Sequence, residues 1–375
     1  MTRIFVASTF VLLAAFVGRE PRAESPRYDF GLPEGVAPPR LPEGDPMSEA
    51  EVELGRRLFY DRRLSRNGTM SCASCHRQEL AFTDGRAHPV GSTGEAVGRN
   101  SMGLANVGYR SRLTWANPLL ARLEDQALLP MFGDTPSELG LDAPETFLAR
   151  LRADDDYVSL FRAAFPDDPR PIRLARVTQS IAAFERTLVS MDSAYDRFVA
   201  GDARALDASA QRGLELFFSE RLECFHCHGG FDFADSVDHG GGPSDAPPFH
   251  NTGLYDVDGR GSYPADDRGA IDVSERPEDM GRFRTPSLRN VAVTGPYMHD
   301  GSIDSLDAVI RHYEAGGRAF GGLRSAPGAD ATRHRDRFVT GFVLTDAERL
   351  DLIAFLESLT DEGFLHDPRF ADPFR

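Results

Sequence analysis

Four cysteines, one tryptophan and one long apolar run are all that the 375 residues contain of each. Four cysteines in an exported chain would ordinarily mean two disulfides. Here they fall as "CASCH" (Cys72, Cys75, His76) and "CFHCH" (Cys224, Cys227, His228), with none left over. C-x-x-C-H is the attachment pattern for c-type haem: both thiols reach the vinyl groups and the following imidazole turns to the iron. One copy could be a redox dithiol or half of a zinc site. Two copies that use every cysteine point to two covalently bound c-type haems. Basic residues are outnumbered, 42 Lys and Arg against 58 Asp and Glu, and the net charge of −16 argues against nucleic acid, which recruits basic patches.

The apolar run, Ile4 to about Val17, follows Arg3 and gives way to a polar stretch. It is short for a bilayer span and suits a secretory signal over residues 1–23, with Ala23 as the cleavage point and an uncleaved anchor as the alternative. No later segment is apolar enough to cross a membrane, so the sequence predicts an exported, periplasmic protein that does not use the membrane.

The two haem motifs lie in a loose repeat. "SEAEVELGRRLFYD" (48–61) precedes the first and "DASAQRGLELFFSE" (207–220) the second, sharing G-x-x-L-F-aromatic. Ser48 with Glu51, and Thr345 with Glu348, have capping-box spacing. Amphipathic helices are also predicted at 173–190 and 345–360, one closing each half. The expected fold is therefore mainly α, with two cytochrome c-like domains at 27–200 and 201–375, each wrapping one haem. Long irregular loops join the helices, above all at 229–282, which is rich in Gly, Pro and Asp. "AVIRHYEAGG" (308–317) reads as a helix running into a Gly-Gly stop.

With these features, the sequence resembles the bacterial dihaem cytochrome c peroxidase and MauG superfamily over nearly all of residues 45–365. The carriers are both haem motifs, "GRNSMGLANVGY" (98–109), "LTWANPLLARLEDQALLPMFG" (113–133), "FRTPSLRNVAVTGPYMHDGS" (283–302) and "HYEAGG". The stretch from "LANVGY" to "SELGL" looks most similar to MbnH-type enzymes, MauG relatives that oxidise a tryptophan of a partner protein to kynurenine.

The resemblance implies roles. His76 would be the proximal ligand of the first haem. Cytochrome c peroxidases add a distal histidine from a Gly-His pair; that place here reads "VGST" and holds Ser92, with His88 the nearest histidine. An open iron would bind H2O2, and Glu138 in "GDTPSELG" would assist O–O cleavage, with Gln126 nearby and Pro130 keeping the pocket tight. Glu124 and Asp125 are competitors for Glu138, and a proline that merely ends a helix is the plain alternative for Pro130. His228 would hold the second haem. Its other ligand matches Tyr313, where the cytochrome c peroxidases place methionine and MauG a tyrosine; Met298 and Met280 are rivals. A phenolate favours higher charge on iron, whereas a thioether favours Fe(II). Trp115 matches the residue between the two haems. Asn100, Thr294 and Pro296 match an interdomain Ca²⁺ site, and hard oxygen donors suit that ion.

The activity so implied is H2O2-dependent oxidation, through a bis-Fe(IV) state, of an exposed tryptophan on an exported partner encoded nearby. The alternative is a peroxidase that reduces H2O2 with electrons from a small redox protein.

Overall fold

The computed structural model describes residues 28–237, 249–318 and 334–375, so the expected signal segment lies outside the described residues. Twelve helices and one two-stranded ribbon are found there. In chain order the helices are α1 (Glu49–Tyr60), α2 (Leu123–Gln126), α3 (Leu128–Phe132), α4 (Pro144–Arg152), α5 (Asp155–Ala164) and α6 (Leu174–Arg186), then α7 (Ala194–Val199), α8 (Ala208–Phe217), α9 (Ile271–Ser274), α10 (Leu306–Glu314), α11 (Asp346–Glu357) and α12 (Glu362–His366). The ribbon pairs β1 (Phe249–His250) antiparallel to β2 (Phe283–Arg284). The fold is mainly helical with long loops.

The shared G-x-x-L-F-aromatic motif has a steric cause. In α1, a Cβ on Gly55 would lie 1.8 Å from the Ser180 carbonyl oxygen of α6. In α8, a Cβ on Gly213 would lie 2.0 Å from the Asp351 carbonyl oxygen of α11. Each glycine thus lets two helix backbones touch. The motif's phenylalanine then fills the crossing: Phe59 lies 5.2 Å from Phe184, and Phe217 lies 5.1 Å from Phe355, between ring centroids. All four rings are buried, and each such burial contributes about 1.5–3 kcal/mol.

Around these crossings grow two hydrophobic cores. The first gathers Leu54, Leu58, Phe59, Phe147, Phe161 and Phe184; the second gathers Phe217, Phe233, Ile310, Leu352 and Phe355. The chain's end belongs to the first: Phe364, Leu365 and Phe370 pack there, with Phe364 5.7 Å from Phe82. Tyr195 packs on the second core. Sequence order alone therefore does not assign the last stretch of 201–375 to its own half.

Thr345 caps α11 in a complete capping box with Glu348. Ser48 accepts from the Glu51 backbone at 3.2 Å, but the Glu51 side chain does not reach back. It turns inward instead, is buried, and leaves Oε1 without a partner. α10 ends as expected, at Gly316 (φ 71°) and Gly317 (φ 108°), a backbone region that glycine enters without strain.

Candidate functional site

Each C-x-x-C-H begins a 3₁₀ turn, Cys72–Ser74 or Cys224–His226, directly after its α1 or α8 helix and a short link. The turn folds the histidine back, with the His76 amide on the Cys72 carbonyl and the His228 amide on the Cys224 carbonyl, both at 3.0 Å. Each imidazole is then oriented through Nδ1, which donates to the Phe82 carbonyl at 2.7 Å or the Phe233 carbonyl at 2.9 Å. With the proton on Nδ1, Nε2 of the neutral ring carries the lone pair that can bind iron. Burial pushes both imidazoles below the ordinary histidine range, which keeps them neutral. All four thiols are unpaired.

Two cavities open in front of these turns. Cys72, Cys75 and His76 line the first; Cys224, Cys227 and His228 line the second. The donor set fits a c-type haem in each. A second feature fits as well: Arg110 and Arg284 border both cavities, are buried, and have their charge opposed by burial, with Arg284 brought down to about 9. Asp232 pairs with Arg110 at 2.5 Å, yet Arg110 Nη1 has no protein partner. Haem carboxylates are the anions that such a wall would take.

Glu138, Gln126 and Pro130 all line the first cavity. Burial raises the Glu138 carboxyl above the usual carboxylate range, so it holds its proton more tightly. Its loop is clamped from two sides. The Ser92 amide donates to the Glu138 carbonyl at 2.7 Å, and the Leu139 amide donates to the Pro130 carbonyl at 2.8 Å. Ser92 Oγ also donates to Leu139, at 3.0 Å, so the residue standing at the distal-histidine place supports Glu138. His88 is exposed, with Nδ1 3.1 Å from the Val97 carbonyl, and among the described residues His76 is the one imidazole lining this cavity.

Glu124 and Asp125 do not line the cavity: Glu124 pairs with Arg186 at 2.7 Å, and Asp125 is exposed. Pro130 does not end a helix. It is the third residue of α3, in the first turn, where its missing N–H costs nothing.

Tyr313 lines the second cavity beside His228. Burial pushes its phenol up, and the nearby Cys227 and Cys224 thiols add to this. Of its rivals, Met298 lines the same cavity, whereas Met280, packed against the same cluster of Tyr263 and Phe283, does not line it. Trp115 borders both cavities, and its indole N–H donates to the Asn100 carbonyl at 2.8 Å. Asn100, Thr294 and Pro296 line one cavity together. Asn100 donates from Nδ2 to the Arg86 carbonyl at 2.7 Å. A side-chain amide oxygen and the Thr294 and Pro296 carbonyls are hard oxygen donors, a set that suits Ca²⁺.

Sequence reasoning missed Arg110, Arg284, Glu185 and His250. Glu185 lines the first cavity. His250, in the second, sits 2.6 Å from both Asp235 and Asp336; burial opposes its charge, but the two carboxylates prevail and hold it at about 12.

Comparison with known proteins agrees with this geometry. A model of the family described as di-haem cytochrome c peroxidase matches residues 49–204. The methylamine utilization protein MauG of Methylophilus methylotrophus is 35% identical over 91% of this chain and 90% of its own. The chain belongs to the di-haem cytochrome c peroxidase family. Within it, the cytochrome c551 peroxidase of Pseudomonas aeruginosa is 33% identical over 74% of this chain and 75% of its own. The crystal structure of a MauG-like protein associated with microbial copper homeostasis superposes with a TM-score of 0.88. That structure is 48% identical and covers 93% of this chain and 100% of its own. The diheme peroxidase BthA from Burkholderia thailandensis shares the fold, at a TM-score of 0.66 and 22% identity over 92% of this chain and 93% of its own. As a member of this family the protein is a dihaem c-type oxidoreductase with peroxidase activity, dependent on H2O2. Among the described residues, no helix is long and apolar enough to cross a membrane.

Proposed function

We propose that this family member uses H2O2 to oxidise a tryptophan side chain of a partner protein, to kynurenine, at a distance from its own haems. The reading places the reaction in the periplasm, after export by the 1–23 signal, on a partner encoded nearby. Two domains, about 27–200 and 201–375, would each carry one haem, with Ca²⁺ held between them by Asn100, Thr294 and Pro296.

The observation that carries this reading is the phenol of Tyr313 in the second cavity, facing the same space as His228. An oxygen donor there favours oxidised iron, whereas the thioether of a plain peroxidase favours Fe(II). What the haems contribute when bound is the redox chemistry itself, peroxide cleavage and storage of two oxidising equivalents. The chain supplies the rest. Glu138 moves a proton from one peroxide oxygen to the other, Gln126 orients the peroxide, and Pro130 narrows the space around it. Trp115, in the wall shared by the cavities, lies where an electron can cross between them. Arg110 and Arg284 would hold the haem carboxylates against that wall.

Met298, also in the second cavity, supports a second reading: a sulfur-ligated peroxidase that only removes H2O2, drawing electrons from a small redox protein. Mixing the holoenzyme with H2O2 alone separates the two. The near-infrared band of electronically coupled oxidised haems, followed by mass-spectrometric conversion of a partner's tryptophan, supports tryptophan oxidation. Neither signal appears if the second haem is bound by Met298.

A further inference from the structure

On α6, Val177 and Ile181 begin an apolar face that continues at i+4 with Glu185. The residue is 6% exposed and borders the first cavity. Its Oε2 is buried and without a hydrogen-bond partner. Arg186, adjacent in sequence, does not neutralise it, because that guanidinium is bonded to Glu124 Oε1 at 2.7 Å. Glu124 in turn has a buried Oε2 without a hydrogen bond, 3.6 Å from Arg122, whose side chain is largely exposed. Glu185, Glu124 and Arg122 therefore form a succession from the cavity to the surface.

We propose that Glu185 is a second acid of this cavity, a proton-delivery residue refilled from the surface through Glu124. The proposal rests on the preceding reading, in which substrate electrons arrive from afar. Reduction consumes H2O2 + 2e⁻ + 2H⁺ and yields 2H2O. Cleavage of the O–O bond needs only a proton moved within the peroxide, which Glu138 performs. The two protons that accompany the electrons cannot travel with them through a protein, since the oxidised side chain releases its own protons at the distant surface. They must enter the cavity separately. In each delivery the Glu185 O–H bond breaks, its proton joins an oxygen leaving as water, and the carboxylate regains a proton from the Glu124 side.

The charges facing Glu185 agree with a neutral, loaded acid. Burial pushes its carboxyl up to about 8, Arg186 on its own helix works against this, and Glu124 from α2 adds to it. Glu185 also acts on Cys72 of the haem turn, as does the charge of Glu138.

The test uses holoenzyme, H2O2 and ferrocyanide, a donor of electrons without protons. Glu185→Gln should lower ferrocyanide turnover about ten-fold or more, raise the solvent isotope effect, and remove the fall in rate near pH 8, whereas Glu185→Asp restores part of the rate. Peroxide consumption without a donor, which needs no net proton, should change far less. In the resting wild type, difference infrared spectra should show a neutral carboxylic acid at neutral pH that ionises near 8 and is missing in Glu185→Gln. Equal ferrocyanide turnover in Glu185→Gln, or no such carboxyl in the wild type, overturns the proposal. Ferrocyanide stands in for the partner, so failure to oxidise any tryptophan would sink the preceding reading and leave this result standing. Glu51 is held near the same value, so the infrared measurement is repeated on Glu51→Gln, in which the Glu185 carboxyl must persist. That measurement still decides if Glu185→Gln does not load haem.

Discussion

Gly213→Ala tests the reading of the repeated motif. The added Cβ would stand 2.0 Å from the Asp351 carbonyl oxygen and 2.7 Å from the Phe355 Cβ. Ordinary carbon–oxygen contact begins near about 3.3 Å, so α8 and α11 must part by roughly 1.3 Å. Neither atom met is the end of a flexible side chain. Overpacking of this kind costs about 1–3 kcal/mol and sometimes more, while alanine's helix preference offsets up to about 1 kcal/mol. The expected net loss is about 2 kcal/mol, a fall in melting temperature of roughly 4–8 °C for a unit of this size. The loss should also be local. α8 leads into the Cys224 turn, so absorption of the second haem should broaden while that of the first is unchanged. Gly55→Ala, with its Cβ 1.8 Å from the Ser180 carbonyl oxygen, should reverse the pattern. Thermal melts of the holoprotein followed by visible absorption read both effects. A Gly213→Ala protein that melts with or above the wild type refutes the steric account, and the repeat would then be a coincidence of composition.

Tyr313→Met should retain two haems per chain by pyridine haemochrome assay, yet fall below about a tenth of the wild-type rate of tryptophan oxidation and raise the second reduction potential. Glu138→Gln should slow peroxide consumption by about 10²- to 10⁴-fold in stopped flow; in the wild type the rate should fall with rising pH as the raised Glu138 carboxyl loses its proton. Glu51 is held up to about 8, by burial first and Asp45 second. Between about 4.5 and 8 the folded state keeps this proton and the unfolded state releases it, so stability should decline with rising pH, by about 1.4 kcal/mol per unit while this group dominates. Chemical denaturation of Glu51→Gln across that range should lack this part of the slope.

The local parts of the fold were readable because their causes are local. Cys-x-x-Cys-His spacing, the Thr345–Glu348 box, the helical period of α6 and the Gly-Gly stop after Tyr313 each lie within one stretch of chain. What escaped involves partners distant in sequence. Arg110 and Arg284 stand 174 positions apart, and only folding places both in the wall between the cavities. Phe364 gave no sign that it would return to Phe82. Glu51 looked like half of a capping box until the backbone brought Asp45 and α6 near and gave its side chain an interior place. Glu185 did leave a trace: a carboxylate in register with Val177 and Ile181 contradicts the apolar face of its helix, and a buried acid without a partner was the reading to draw from it.

The two cavities share a wall that, on the proposed function, would separate electrons from protons. Trp115 borders both, and its N–H is committed to the backbone carbonyl of Asn100. An amide carbonyl is a weak base, so an indole held this way loses an electron while keeping its proton. On the proposed function, that residue would conduct charge between the cavities with no proton to return. The acids lie elsewhere around the first cavity, with Glu138 on the loop after α3 and Glu185 on α6, backed by Glu124 toward the surface. Were the indole N–H bonded to a carboxylate, each crossing would wait on a proton, and the exchange between haems would slow in heavy water. With the carbonyl of Asn100 as its partner, that exchange should be insensitive to deuterium, while turnover with ferrocyanide should not be.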